Sequence, residues 1–353
     1  KVTGAACYAA DLHVPGMLHA AILRSPYAHA RITAIDTSRV EAMHGVVKIL
    51  HHGNTNARPF TTSEWDAPAA LGSLPRDQVL FAPVVRHVGE AVAAVAALDE
   101  NIAAAAAEAI GVSFEPLPVV IDAETAMRPN APRVNADHES NVAAHVRLSA
   151  GDIESALRDA DQVIERQFRT SRQKQTPMEP FACVAQYDGH TLTVWSPNQT
   201  PHQLRVKLAD IFGMAVSHVR IITPTLGGGF GARSGLIGEP WAAALAIATR
   251  RPVRLVYSRY EDFVATEGRH PATVTLRVGF KNDGTLTAIH GRASFNTGPY
   301  ASQGPNVTAF FGMCLLRPYR CGNRHYDGYT VFTNAPPASA FRGFGGPQAM
   351  FAL

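Results

Sequence analysis

The sequence predicts a two-part α/β (α+β) protein with mixed sheets and packed helices. Its 353 residues exceed what a single core usually encloses. Strand-like and helix-like periodicities alternate along the chain instead of falling into one class. A stretch rich in Pro, Asn and other polar residues, without periodicity, interrupts them at residues 123–147 and is expected to be a linker. The expected regions are therefore residues 1–122 and 148–353.

In the first region, residues 17–24 and 46–50 read as strands, with a short helix at 37–43 between them. Residues 89–97, nearly all Ala, Val and Gly, form a buried strand. The Ala-rich run 101–110, opened by Asp99, forms a helix that packs closely on a sheet. Residues 115–119 (Glu-Pro-Leu-Pro-Val) are expected as an edge strand, because each Pro removes a ladder donor.

In the second region a helix at 153–160 follows Asp152, and a hairpin at 184–194 turns at Asp188-Gly189. A helix at 201–212, a strand at 219–223 and a buried apolar helix at 237–249 come next. Strands at 272–280 and 286–296 are joined at Asn282-Asp283-Gly284, a strong hairpin signal. Pro347 opens a helix that stops after two turns at Leu353 without a cap, so a division within a domain is expected there.

Composition excludes several classes. With 46% hydrophobic and 17% charged residues, the chain is of ordinary globular type, and no window approaches the ~18 uncharged apolar residues of a membrane span. The formal charge of +3 is small and its Lys and Arg are dispersed, which argues against a nucleic-acid or membrane-surface partner. Cys7, Cys183, Cys314 and Cys321 are too few and scattered to staple the chain. They fit reduced thiols in a cytoplasmic protein, and without a CxxC they suggest no iron–sulfur cluster or structural zinc. The adjacent His51 and His52 would point to opposite faces of a strand and read as loop histidines. No secretory signal pattern is visible, although the chain begins at Lys1 and a removed leader stays open.

Two glycine-rich loops stand apart. Residues 227–233 (Gly-Gly-Gly-Phe-Gly-Ala-Arg) follow a strand, and such glycine density suits backbone that must reach positive φ or approach a ligand closely. The same residues formally fit a dinucleotide fingerprint, Gly227-x-Gly229-x-x-Ala232, with Arg259 as a phosphate partner. An NADP-binding dehydrogenase is thus the alternative, although Gly235, Gly238 and Pro240 delay the helix that the fingerprint should open. In the second loop, residues 340–347, Arg342 sits between Phe341 and Phe344 amid glycines and before a helix start. This composition suits an anion site with a stacking wall, or equally a core plug at Phe344.

Gly-Gly-Gly-Phe-Gly at 227–231 and Ala-Phe-Arg-Gly-Phe-Gly-Gly-Pro-Gln at 340–348 resemble the two signature loops of the molybdenum hydroxylase family, which includes xanthine dehydrogenase and aldehyde oxidase. Residues 25–30 (Ser-Pro-Tyr-Ala-His-Ala), 87–92 (His-Val-Gly-Glu-Ala-Val) and 268–271 (Gly-Arg-His-Pro) are similar to that family too. The resemblance covers essentially the whole chain but only the front half of the family's molybdenum subunit. It implies an a/b hammerhead domain at 1–122 and the N-terminal part of the molybdopterin-binding domain at 148–353.

The resemblance also implies a molybdenum cofactor held through its pterin dithiolene, with no direct protein ligand to the metal. Gln199 matches the glutamine whose amide donates to a molybdenum oxo group. Gly229, Phe230 and Gly231 match backbone that lines metal and pterin, and Arg342 with Gly343 matches a cofactor contact. Phe344 resembles one of two phenylalanines that sandwich a flat substrate. Purine-oxidising members carry a carboxylate and an arginine where this chain aligns Ser234 and Phe310, which points away from xanthine and toward a less polar N-heterocycle or aldehyde. The cysteine of the carbon-monoxide-oxidising branch is absent, since Gly343 and Phe344 occupy its stretch.

The implied reaction is hydroxylation with water as oxygen source. The catalytic base is expected beyond Leu353, Glu179 being read as structural. Implied partners are the second molybdopterin-binding half, a 2Fe-2S subunit and an FAD subunit, and the cofactor is expected in its cytosine dinucleotide form. A non-catalytic scaffold of the same family is the other alternative.

Overall fold

The computed structural model describes residues 1–63, 65 and 74–353. They divide into two units assembled from separate stretches of chain: Lys1–Trp65, Pro75–Pro118 and Gln175–Thr266 form the first, while Val119–Lys174 and Glu267–Leu353 form most of the second.

Elements are numbered in chain order through both units. Residues 1–118 supply β1 (Leu18–Arg24), β2 (Ala30–Asp36), α1 (Ser38–Glu41), β3 (Val46–His51), β4 (Val84–Val85), β5 (Ala91–Ala97), α2 (Glu100–Ala109) and β6 (Gly111–Pro116). Residues 119–174, in the second unit, supply α3 (Ala123–Ala126), β7 (Val142–Ala150), α4 (Ile153–Arg158) and β8 (Gln162–Thr170). The chain returns to the first unit with β9 (Ala182–Tyr187), β10 (Leu192–Trp195), α5 (Pro201–Ile211), β11 (Val219–Ile222), α6 (Glu239–Thr249), β12 (Val253–Val256) and α7 (Arg259–Val264). It ends in the second with β13 (Ala272–Phe280), β14 (Leu286–Gly298), α8 (Gly304–Leu316), β15 (Asn323–Phe332) and α9 (Gly346–Ala352).

In the first unit a seven-stranded sheet runs β11-β10-β9-β12-β1-β5-β3, beside a three-stranded sheet β4-β2-β6. Strand β5 is buried along its whole length because both faces are covered. Ala93 and Val95 join a cluster with Ala106 and Ala107 of α2, while Ala94 and Ala96 join one with Ala242–Ala246 of α6. Alanine on both sides lets helices approach the strand closely. Asp99 caps α2 as its sequence suggests, accepting from the N–H groups of Asn101 (2.7 Å) and Ile102 (3.2 Å). Strand β1 pairs antiparallel with β5 and in parallel with β12, and this pairing draws residues 175–266 into the same unit as residues 1–118.

The second unit has a five-stranded sheet, β7-β15-β14-β13-β8. The β13–β14 hairpin turns where Asn282-Asp283-Gly284 predicts, with Gly284 at φ +87°. Residues 123–147, expected as a linker, contain α3, capped by Asp122, and the start of β7. Their polarity fits a sheet edge, since β7 pairs with β15 alone and most of its residues stay partly or fully exposed. The edge strand expected at 115–119 lies earlier, at β6.

Helix α8 seals one face of this sheet, where Phe311 meets Phe295 at 5.0 Å and Tyr326 at 5.6 Å between ring centroids. Phe311 is fully buried. Phe311→Ala is expected to destabilise the protein by about 3–5 kcal/mol in denaturant unfolding, through lost burial and the cavity left behind. A change under about 1 kcal/mol would show that the helix is held by other contacts.

Candidate functional site

In the first unit a buried carboxylate sets the entry to α5. Glu239, at the start of α6, is wholly buried and accepts from Ser196 Oγ and the Ile237 N–H, both at 2.7 Å. Asn198 donates to the Gly235 carbonyl at 2.8 Å and to Glu239 at 3.3 Å, and its own oxygen accepts from the Thr200 N–H at 2.8 Å. The turn before Pro201 is therefore tied to the segment that follows the glycine loop.

Gln199 closes the link. Its N–H donates to the Arg233 carbonyl at 2.7 Å, and its side-chain Oε1 accepts from the N–H groups of Gly231 (3.0 Å) and Arg233 (3.3 Å). Its Nε2 has no protein partner among the described residues, and the residue is exposed. The carboxamide is thus oriented by its oxygen, which leaves its N–H donors available. A Cβ at Gly229 would lie 2.5 Å from Gln199 Oε1, so any larger residue there would displace the Gln199 carboxamide. Gly228 (φ +118°), Phe230 (φ +56°) and Gly231 (φ +95°) hold the loop in left-handed backbone. The N–H groups of Gly228, Gly229 and Phe230 have no partner among the described residues, so this loop could offer donors to an anion or oxo group.

Beneath the loop lies a buried charge pair. Arg233 and Asp262 are each about 1% exposed and meet at 3.4 Å. Arg233 also donates to the Glu179 carbonyl at 2.7 Å, and its guanidinium lies 5.6 Å from the centre of the Phe181 ring. Glu179 accepts from the Gly227 N–H at 2.6 Å, while its other oxygen is buried with no hydrogen-bond partner at ordinary geometry among the described residues. Burial pushes this carboxyl above its ordinary range against the pull of the Gly227 N–H and Arg233. Nothing here fits a dinucleotide fingerprint. Helix α6 starts only at Glu239, and Arg259 is engaged by Asp262 at 3.1 Å and by the Met178 carbonyl at 2.9 Å.

In the second unit Arg269 organises the other loop. Its guanidinium donates to the Arg342 carbonyl at 2.7 Å and to Gln348 Oε1 at 3.2 Å, and stacks 4.1 Å from the Phe341 ring centroid. Gln348 in turn donates to the His270 carbonyl at 2.9 Å. Gly343 (φ +90°), Phe344 (φ +48°) and Gly345 (φ +93°) make a left-handed run that exposes the Arg342 side chain. Phe344 meets Phe310 of α8 edge to face, with ring centroids 6.1 Å apart.

His270 is wholly buried beneath this loop, and its Nε2 has no partner among the described residues. Burial, with the nearby charges of Arg172 and Arg269, pushes its pKa down to about 3. The folded protein therefore keeps this imidazole neutral, while the unfolded chain takes up a proton below pH ~6.5. Stability from this group is full above pH ~6.5 and is lost as pH falls toward 3, by roughly 3–5 kcal/mol in all. Denaturant unfolding as a function of pH should show this decline, and a His270→Gln variant should flatten it; an unchanged slope would remove His270 as the cause.

The structure thus brings Gln199, Gly229, Phe230, Gly231 and Ser234 together in the first unit, Ser234 being buried with its N–H on the Gly231 carbonyl at 3.3 Å. Within the second it brings together Arg342, Gly343, Phe344 and Phe310. Sequence reasoning missed the supports of both loops, namely Asn198, Glu239, Arg233, Asp262 and the hub role of Arg269. One signal was available, a lone Glu239 at the head of an otherwise apolar helix.

Comparison with known proteins places these loops in a family. Residues 134–353 match the molybdopterin cofactor-binding domain, and residues 3–118 match the a/b hammerhead domain of aldehyde oxidase and xanthine dehydrogenase. The chain is 38% identical to a probable xanthine dehydrogenase subunit of Bacillus subtilis (strain 168), across 100% of this chain and 46% of that protein. It is 35% identical to the nicotinate dehydrogenase large molybdopterin subunit of Eubacterium barkeri, across 99% of this chain and 80% of that one. The aldehyde oxidoreductase of Desulfovibrio gigas superposes with a TM-score of 0.93 at 30% identity, covering 99% of this chain and 39% of that structure. Apart from the Eubacterium protein, the chain spans about half or less of the length of these relatives. Among the described residues no helix is long and apolar enough to cross a membrane. The chain, with its mixed α/β architecture and its two glycine loops, belongs to the molybdenum hydroxylase family of xanthine dehydrogenase and aldehyde oxidase.

Proposed function

We propose that this chain is part of the molybdenum-cofactor subunit of a cytoplasmic hydroxylase acting on an aromatic N-heterocycle or an aldehyde. The observation that carries this reading is the Gln199 carboxamide, whose oxygen is held by the Gly231 and Arg233 N–H groups and whose Nε2 is left without a partner among the described residues. The pterin-held molybdenum, when bound, supplies two-electron oxidation with water as oxygen source. Gln199 would hold the cofactor by donating from its amide, as would the backbone of Gly229, Phe230 and Gly231; Arg342 and Gly343 would contact it from their own loop. Such donors, fixed before substrate arrives, stabilise developing negative charge without reorganising.

By the family resemblance, Phe344 and Phe310 in the second unit and Ser234 in the first are each read as substrate-pocket positions. The edge-to-face pair of Phe310 and Phe344 offers an apolar aromatic surface, and Ser234 is neutral, so neither matches the charges of a polar purine. By the family resemblance, the catalytic base would belong to the second molybdopterin-binding half. The family resemblance implies 2Fe-2S and FAD subunits that would accept the electrons, and a cofactor that would be in its cytosine dinucleotide form.

Metal analysis of the complete purified protein with its co-purifying chains tests this. The expected result is about one molybdenum per copy, with cytidine monophosphate released by acid hydrolysis. A metal-free complex would instead support a scaffold, and tryptophan quenching by NADPH without molybdenum would support a dehydrogenase.

A further inference from the structure

We propose that His290, His325 and Asp327 bind a divalent transition-metal ion, zinc being the best fit, on the five-stranded sheet of the second unit. The site uses neither glycine loop and is independent of the molybdenum reading. Strands β14 and β15 run parallel with His290 directly opposite His325, and Asp327 lies two residues further along β15. Opposed residues, and residues two apart on one strand, share a face. The alternate positions Tyr326 and Gly328 are buried, Tyr326 in the cluster with Phe311 of α8, so the three ligand residues lie on the other face.

Each of the three offers one ligand atom, and these atoms all lie within 4.8 Å of one another. Ligand atoms around a tetrahedral zinc ion stand roughly 3.3 Å apart, given bond lengths near 2.0–2.1 Å, so shifts of about 1.5 Å or less in side-chain position bring the set to that spacing. His325 Nε2 already meets Asp327 Oδ2 at 2.7 Å, and His145 Nε2 on β7 meets Asp327 Oδ1 at 2.8 Å. His145 is therefore an outer partner that orients the carboxylate. The Nδ1 of His290 is buried and has no hydrogen-bond partner among the described residues. Two imidazoles and a carboxylate suit zinc or a neighbouring transition metal over calcium or magnesium, which prefer all-oxygen shells.

The surrounding charges do not close the site. Arg277 pairs with Glu165 at 3.2 Å, and Arg292 stacks on Tyr329 at 5.3 Å. Arg147 reaches Asp327 at 3.2 Å, but its side chain is 65% exposed and free to swing into solvent. Glu154 of α4 adds a carboxylate to the electrostatic surroundings of His290.

Calorimetric titration of the complete purified protein with zinc near neutral pH tests the proposal. A saturable site is expected, weakened at least tenfold by His290→Asn and by His325→Asn, and unchanged when His51 and His52 are both replaced by Asn. Cobalt(II) in place of zinc is expected to give the ligand-field absorption of a histidine-bound ion, together with paramagnetically shifted imidazole proton signals in the wild-type protein. The absence of saturable binding, or full affinity in both single variants, overturns the site. Should a variant fail to fold, the wild-type cobalt signals decide: their absence overturns the site as well.

Discussion

Gln199→Glu is expected to lower kcat of the assembled enzyme by about 10²–10³-fold while leaving its molybdenum content near that of the wild type. The substitution keeps an oxygen where Oε1 accepts from Gly231 and Arg233, so the glycine loop retains its hydrogen bonds. It replaces the Nε2 donor by a second oxygen, and the loss of one donor aimed at developing charge is worth that factor. Gln199→Ala removes the acceptor as well, so it should lose cofactor in addition to rate. Steady-state kinetics normalised to bound molybdenum separate the two effects. If Gln199→Glu keeps its activity within about twofold, the amide takes no part in the reaction.

Arg233→Ala is expected to destabilise the protein by about 3 kcal/mol in denaturant unfolding. The guanidinium is buried against Asp262 and the Glu179 carbonyl, and truncating it leaves the Glu179 carbonyl without that donor and Asp262 with one partner fewer. Removing one partner of a buried pair usually costs about 3–5 kcal/mol. The lower end is expected here because Asp262 keeps Arg259 at 3.1 Å, although that side chain is 38% exposed and partly screened. The loop should loosen with the loss, since Glu179 also anchors the Gly227 N–H. A loss below about 1 kcal/mol would mean that Arg259 or solvent replaces the missing charge.

Elements whose signal lies within a few residues were legible. The β5 run, the Asp99 cap and the turns at Asp188-Gly189 and Asn282-Asp283-Gly284 all fold where local chemistry points. Others gave no such signal. Strand β8 is exposed along most of its length and shows no buried alternation, and α8 is apolar around most of its surface, so no amphipathic stripe marks it. Strand β15 mixes His325 and Asp327 with buried Tyr326 and Thr330, which reads locally as a polar loop. Within the candidate site, the glycine loops and Gln199 were legible through their resemblance to a family. The buried Arg233–Asp262 pair and the Arg269 hub were not, because each joins residues distant in the chain.

By itself the sequence determined the class of fold, the two glycine loops, and the family they resemble, since these depend on backbone freedom, caps and turns that few residues specify. Only the tertiary structure decided that β12 pairs with β1, that Gln199 spends its oxygen on the loop and keeps its nitrogen free, and that His290 stands opposite His325. The reason is register: a slip of one residue between β14 and β15 would send those histidines to opposite faces, and strand register across a crossover is set by packing, not by neighbours in the chain.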